Sequence, residues 1–329
     1  MTGPALTERA GAAALRRIDR APWTDVYGVG RTLIALATLG VVLANDPRRL
    51  FLDHGAAGSA RSCSGVATLS LFCHTPAQAM PWARLLAVVI LLAAASGWRP
   101  RWTCIPHWWI SFSVAISAVV EDGGDQAATI LTLLLIPVAL GDARTWVWSA
   151  PRAPGESSDA RRLIAFAALL AIRIQVAAIY FQAFSAKLAV AEWLNGTAVA
   201  YYLRNPYVGA PHWLGPLLDP LLRSAVGVGL LTYDTLAVEL LLCVCLVLPR
   251  RITHRVLWAG LLLHLLFALL MGLPSFSLVM WGALVLDLRD WSAPFAVPWA
   301  RPRRARETAA AARPAAVGPP RRRQAPARR

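Results

Sequence analysis

Eight apolar runs, set apart by short arginine-rich connectors, constrain this chain more than any other feature. They fall at about 26–45, 82–98, 104–121, 126–141, 162–188, 222–248, 254–272 and 274–289. About 20 apolar residues in a helix cross ~30 Å of hydrocarbon, and a helix satisfies its own backbone groups there. The fourth and eighth runs are the shortest. The pattern predicts an all-α polytopic membrane helical bundle of about eight transmembrane helices. The expected organisation is an N-terminal cytoplasmic segment at 1–25, a membrane domain at 26–290 and a disordered basic tail at 291–329. A hydrophobic fraction of 57% agrees, since soluble domains are about 45–50% apolar. The polar opening "MTGPALTERAGAAALRRIDRAPWTD" does not read as a cleavable signal peptide, because the apolar run after it is long enough to span.

A formal net charge of +15 would on its own suggest nucleic acid. The arginines, however, sit mostly in the connectors and in "RPRRARETAAAARPAAVGPPRRRQAPARR", beside apolar spans that exclude a free nucleic-acid binder. Membrane lipid is the partner such a tail contacts, unless it is a disordered end without a dedicated partner. Arg9, Arg16, Arg17 and Arg20 precede the first run; Arg99 and Arg101 follow the second. Arg144, Arg152, Arg161 and Arg162 lie between the fourth and fifth, and Arg250, Arg251 and Arg255 between the sixth and seventh. With eight spans all of these share one side, which the positive-inside rule makes cytoplasmic. The expected location is therefore the cell membrane with both termini cytoplasmic. Arg48, Arg49 and Arg61 in the first outer loop count modestly against this.

That loop contains Cys63 and Cys73 in "RSCSGVATLSLFCHTP", whereas Cys104, Cys243 and Cys245 fall inside apolar runs. The loop pair alone reaches an oxidising compartment, so a disulfide is the expectation, with two free thiols as the alternative. Signatures of soluble enzymes are missing: there is no G-x-G-x-x-G, G-x-S-x-G, H-E-x-x-H or C-x-x-C. The six histidines are scattered, so no metal site is expected unless tertiary structure assembles one.

Polar residues inside the runs carry more information, because each must be buried against protein or face water. The fifth run holds Arg173, Gln175, Tyr180, Gln182 and Lys187. Arg173, Tyr180 and Lys187 are spaced by seven and form one stripe; Gln175 and Gln182 form another. Two polar stripes place this helix at the centre of the bundle. Asp234 and Glu239 in the sixth run are structural partners for Arg173, and His264 stands alone on the apolar seventh run. "EDGGDQ" fills the gap before the fourth run.

Lys187 is the only lysine in the chain, in "IYFQAFSAKLAVAEWLNG". At ~1.5 Å per residue it lies roughly 37 Å along the helix from Arg162, at the outer edge of the hydrocarbon. There a lysine can snorkel to the interface; turned inward it is a candidate base or nucleophile. Trp193, Asn195, Tyr201 and Tyr202 follow it, as a cap over a site or as an ordinary aromatic belt.

The blocks "YFQAFSAKL" and "EWLNGTAVAYYL" resemble the core of the HTTM membrane proteins, the domain shared with vitamin K-dependent gamma-carboxylase. Lys187, Leu188, Trp193 and Gly196 fall on the family's lysine motif, with Ala186 where the family has a first lysine; "LLLHLLFALLMGLPSFSLVM" with His264 is the second matching block. The short chain, the two-cysteine loop and "EDGGDQ" resemble most the bacterial SdpB branch of sporulation-delaying proteins. The resemblance implies Lys187 and His264 as catalytic residues, and Arg173, Tyr180, Gln182, Trp193 and Asn195 as substrate-binding ones. It also implies a role in maturation or export of a secreted peptide toxin, with the precursor and a maturation protein as partners. The carboxylase side of the likeness implies an enzyme using Lys187 as base on a quinol, with a quinone as cofactor. A transporter or channel, with Arg173, Asp234 and Glu239 as a polar path, is the remaining reading.

Overall fold

A computed structural model describes residues 22–51, 63–119, 122–150, 158–206, 209–293 and 295. The expectations for the segment 1–21, for the tail beyond 295, and for Arg61, Glu121 and Arg152 lie outside the described residues.

Among the described residues, eight helices of 15 residues or more form the fold: α1 Asp25–Ala44, α2 Met80–Ala95, α3 Pro100–Ser117, α4 Gly123–Gly141, α5 Asp159–Leu188, α6 Ala225–Val244, α7 Arg250–Leu270 and α8 Pro274–Leu288. Each coincides with one apolar run of the sequence. Six of them, α1, α2, α4, α5, α6 and α7, are long and apolar enough to cross a membrane, counting α2 from Ala77. The other two differ for separate reasons. α3 carries Arg101, Thr103, His107, Ser111 and Ser113, and so falls short in apolarity; α8, at 15 residues, falls short in length. The fourth run, one of the two shortest in sequence, gains a turn from its glycines and is a full 19-residue helix.

The centre of the bundle is α8, which packs against α1, α4, α5 and α7. A helix apolar on every side belongs in the interior, and Val279, Met280, Gly282, Ala283, Leu284, Val285 and Leu286 are all buried. Lipid is as apolar as leucine, so helix association in a membrane depends on close packing rather than on escape from water. Gly282 provides it: a Cβ there would sit 2.8 Å from the Gly30 carbonyl oxygen of α1. The sequence expectation that α5 is central is thereby corrected. α5 packs on α4, α6 and α8, while Leu163, Ile164, Leu170, Ile174 and Phe181 are exposed along its outer flank. Of its two polar stripes only one turns inward; Gln182 is exposed and Gln175 half-buried.

The connectors rich in arginine gather at one end. Arg99 donates its backbone N–H to Thr145 at 2.7 Å and Val147 donates to Gly97 at 3.0 Å, tying the α2–α3 turn to the α4–α5 segment. Thr24 donates to the Trp291 carbonyl at 2.6 Å, and Asp25 accepts from the Phe295 N–H at 2.9 Å, so the residues just after α8 dock on the start of α1. Arg250 is paired with Asp290 across the same end. We call this the basic face.

At the opposite, capped face lie the loop before α2 and the segment between α5 and α6. Cys63 and Cys73 are joined by a disulfide with Cα atoms 5.7 Å apart. Phe72 stacks on Phe51 at 4.0 Å, and Ser70 hydrogen-bonds Ser117 at 2.6 Å, seating this loop on the end of α3. The second segment forms short helices at Ala191–Leu194, Ala198–Leu203 and Gly215–Leu222. Leu214, Leu218 and Leu222 turn inward on Ala200, Leu203, Leu270 and Met271, while Trp213, Leu217 and Tyr201 face outward. Aromatic and aliphatic side chains in that position suit a membrane interface.

Candidate functional site

The inward stripe of α5 meets a different helix at each of its three residues. Arg173 Nε donates to Asp287 Oδ1 on α8 at 3.1 Å. Tyr180 Oη and His264 Nε2 on α7 are hydrogen-bonded at 2.8 Å, and the imidazole tautomer decides which of them donates. Lys187 Nζ donates to Glu239 Oε1 on α6 at 2.7 Å and to the Ala183 carbonyl at 3.3 Å. Seven residues are nearly two turns, so these rungs succeed one another by about 10.5 Å along the helix.

Lys187 therefore turns toward a neighbouring helix rather than outward. Glu239 lies 14 residues into α6, and the ammonium group turns inward to reach it, leaving the lysine side chain 22% exposed against 5% for the glutamate. α5 ends just after: Ala189 and Val190 donate to the Ala186 and Lys187 carbonyls, and the chain doubles back into Ala191–Leu194. That turn lays the buried Trp193 ring over Lys187 Nζ at 5.2 Å, a cation–π contact. Trp193 packs with Ala198 and with Leu236 of α6. Gly196 has φ +78°, a conformation that disfavours a side chain, and the Tyr233 ring occupies the space a Cβ would need. Tyr233 Oη in turn donates to the Leu194 carbonyl at 2.9 Å, locking the lid to α6.

His264 is set between Phe267 and Phe276, at 5.5 and 5.4 Å between ring centroids. Ser277 Oγ donates to its carbonyl oxygen at 2.7 Å, fixing the height of α7 against α8. Each acidic or basic partner on this stripe retains one buried polar atom without a hydrogen bond: Glu239 Oε2, His264 Nδ1 and Asp287 Oδ2. Such atoms are rare in folded proteins and are where a ligand or water binds.

The structure brings together Lys187, Tyr180, Trp193, His264 and, one rung further, Arg173. It does not bring in Gln182 or Asn195. Gln182 is exposed; Asn195, also exposed, accepts from the Thr197 N–H and hydroxyl at 3.2 and 2.6 Å, a local turn. The expected partner of Arg173 changes as well: it is Asp287, which sequence reading did not single out, while Glu239 pairs with Lys187. Asp234 is exposed, so Arg173, Asp234 and Glu239 do not form a column. Among the described residues no group of three or more His, Cys, Asp or Glu side chains could hold a metal ion.

The bundle, with its half-buried Lys–Glu pair and buried Tyr–His pair, defines a polytopic helical membrane protein with a polar centre under a lid. The chain belongs to the SdpB family. It is 32% identical over 283 residues to sporulation-delaying protein SdpB of Bacillus subtilis (strain 168), covering 85% of this chain and 86% of the relative. It is also 36% identical over 272 residues to the Bacillus subtilis (strain 168) protein called uncharacterized protein YitO, covering 82% of this chain and 87% of that one. No family profile matches the chain, and no solved structure matches it.

Proposed function

We propose that this protein acts in the maturation or export of a secreted antimicrobial peptide toxin, with the Lys187 centre as its working site. Kinship to a sporulation-delaying protein over most of both chains supports the pathway. The observation that carries the site is the Lys187–Glu239 pair: buried on its glutamate side, covered by Trp193, and left with an unpartnered carboxylate oxygen. The unpartnered oxygen is an acceptor that a donor on a bound molecule can take. Both termini lie on the cytoplasmic side and the lid on the outer side, as the arginine connectors imply. The peptide precursor and a maturation protein are the partners.

The same pair supports a second reading, an enzyme in which Lys187 is a base. Transfer of one proton from Lys187 Nζ to Glu239 Oε1 gives a neutral amine and a neutral acid. The amine then accepts a proton from the substrate. Tyr180 and His264 orient a reacting group, and Trp193 excludes water. A quinol, the cofactor implied by likeness to the carboxylase, would supply an acidic hydroxyl.

The test is deletion of the gene followed by mass spectrometry of secreted peptides. The expected result is loss or incomplete processing of a peptide encoded beside it, restored by the wild-type gene but not by Lys187→Ala. Unchanged maturation in the deletion strain counts against the reading.

A further inference from the structure

The turn between α2 and α3 and the segment after α4 are clasped together at the basic face. Arg99 and Val147 donate backbone N–H groups to Thr145 and Gly97 across the clasp, and Trp98 faces Trp146 in an antiparallel bridge. Trp148 Nε1 closes it, donating to the Ser96 carbonyl at 2.7 Å. In the first turn of α3 stands Trp102, whose backbone N–H donates to the Arg99 carbonyl at 2.8 Å. These bonds gather four tryptophans around Arg99, and all four are 41–70% exposed. An indole that far out of the bundle has an apolar body to bury and a polar N–H to satisfy, which the boundary between headgroups and acyl chains offers.

Arg99 is the unusual member. Its φ is +37°, in the left-handed region that glycine alone occupies without penalty. Among the described residues no other non-glycine residue has a positive φ. The side chain is not used within the protein in return: among the described residues no hydrogen bond or ion pair engages its guanidinium, which lies over the Trp98 ring at 5.8 Å. Nor is it neutralised. Asp142, the acid of the adjoining segment, is 1% exposed and held by Arg144. Arg101, two residues on, gives its Nε to the Leu140 carbonyl and adds a second positive charge. The clasp therefore presents an exposed cation, flanked by indoles, to whatever lies against it.

We infer that this clasp binds an anionic phospholipid, with Arg99 paired to the headgroup phosphate and Trp98, Trp102 and Trp146 against the glycerol and upper acyl carbons. The choice of a lipid follows from position and charge. α2 and α4 are long and apolar enough to cross a membrane, and the clasp joins the ends at which they leave it, so the surface that meets it is a leaflet. A cation without a counter-charge favours a headgroup of net negative charge over one that carries its own ammonium. The inference needs no role for the Lys187 centre and no assignment of sidedness, so it stands apart from the peptide reading.

The experiment is thermal unfolding of the full chain in mild detergent, with dioleoylphosphatidylglycerol, dioleoylphosphatidylcholine or inorganic phosphate added. The expected result is a saturable rise of the unfolding temperature with phosphatidylglycerol, at least twice that with phosphatidylcholine at equal lipid, and none with phosphate. Arg99→Gly frees the backbone from its strain, so its starting unfolding temperature should not fall, while at least half of the phosphatidylglycerol increment is lost. Trp102→Ala should lower the increment with both lipids. No rise, or equal increments with the two lipids, would reduce the tryptophans to an ordinary interfacial belt. A rise with phosphate alone would mean a soluble anion, and an undiminished phosphatidylglycerol increment in either variant would place the lipid on other arginines. Any of these results overturns the inference.

Discussion

The ion pairs Asp142–Arg144 and Lys187–Glu239 are built to different standards. At the basic face Asp142 and Arg144, two residues apart, meet through three N–O contacts. Asp142 also accepts from the Arg144 backbone N–H at 3.1 Å, and Arg144 Nη1 donates to the Ser149 carbonyl at 2.9 Å. Lys187 and Glu239 come from separate helices, meet through one contact, and leave Glu239 Oε2 buried with no bond. The first pair folds a turn and leaves neither carboxylate oxygen without a bond. The second keeps a polar atom in reserve beside an aromatic lid, at a cost in stability that packing alone does not require.

The comparison is broken most forcefully by removing one charge. Glu239→Leu leaves Lys187 without its counter-charge, and the expected loss is about 3–5 kcal/mol in detergent unfolding. Replacing both partners, as Lys187→Met with Glu239→Leu, should recover most of that loss, because a pair exchanged for apolar groups is often neutral. The matching double change Asp142→Leu with Arg144→Leu should not recover, remaining about 2 kcal/mol below wild type because the turn's backbone bonds go with it. Equal recovery of the two doubles would show that the pairs are alike after all.

A smaller effect sharpens the centre itself. Tyr180→Phe removes only the bond to His264, and about 1 kcal/mol of stability should be lost, with the Lys187–Glu239 contact intact. An unchanged unfolding midpoint would indicate that the hydroxyl adds nothing to the fold.

The smallest concerns Asp290. Partial burial pushes its pKa up, but the bonds from Arg250 and Ser292 and the charge of Arg250 outweigh it and hold the carboxyl below its ordinary 3.8. A group whose folded value is depressed stabilises the fold above its unfolded value, and that contribution fades as pH falls from 3.8 through the folded value. Asp290→Asn should therefore flatten the acid limb of stability against pH. A limb of the same steepness in the variant would assign it to other carboxylates.

Much of this architecture is legible in the sequence because membrane helices need long apolar runs and leave little else to read. Each of the eight long helices coincides with a run. What the runs conceal is which helix is central. α5 drew attention through its polar residues, yet α8 holds the middle because it has no polar face before Asp287, and uniform apolarity reads as weakness when length is short. Pairing is concealed for another reason. Lys187 and Glu239 are 52 positions apart, and a height reckoned along a straight helix puts the lysine at the interface. Only the inward turn at the end of α5 and the lid at Trp193 bring it into the bundle. Glu239 was visible as an acid within an apolar run, but nothing local distinguishes a partner of Lys187 from a partner of Arg173.

The central claim is that the Lys187–Glu239 centre works in peptide maturation. The most direct measurement is the yield of mature secreted peptide, by mass spectrometry, from cells carrying the precursor with either wild type or the Lys187→Met, Glu239→Leu double variant. The variant is chosen because it is expected to remain folded. The account predicts that the folded double variant yields no mature peptide above the gene deletion. Wild-type yield from it would contradict the claim and leave the pair a structural contact.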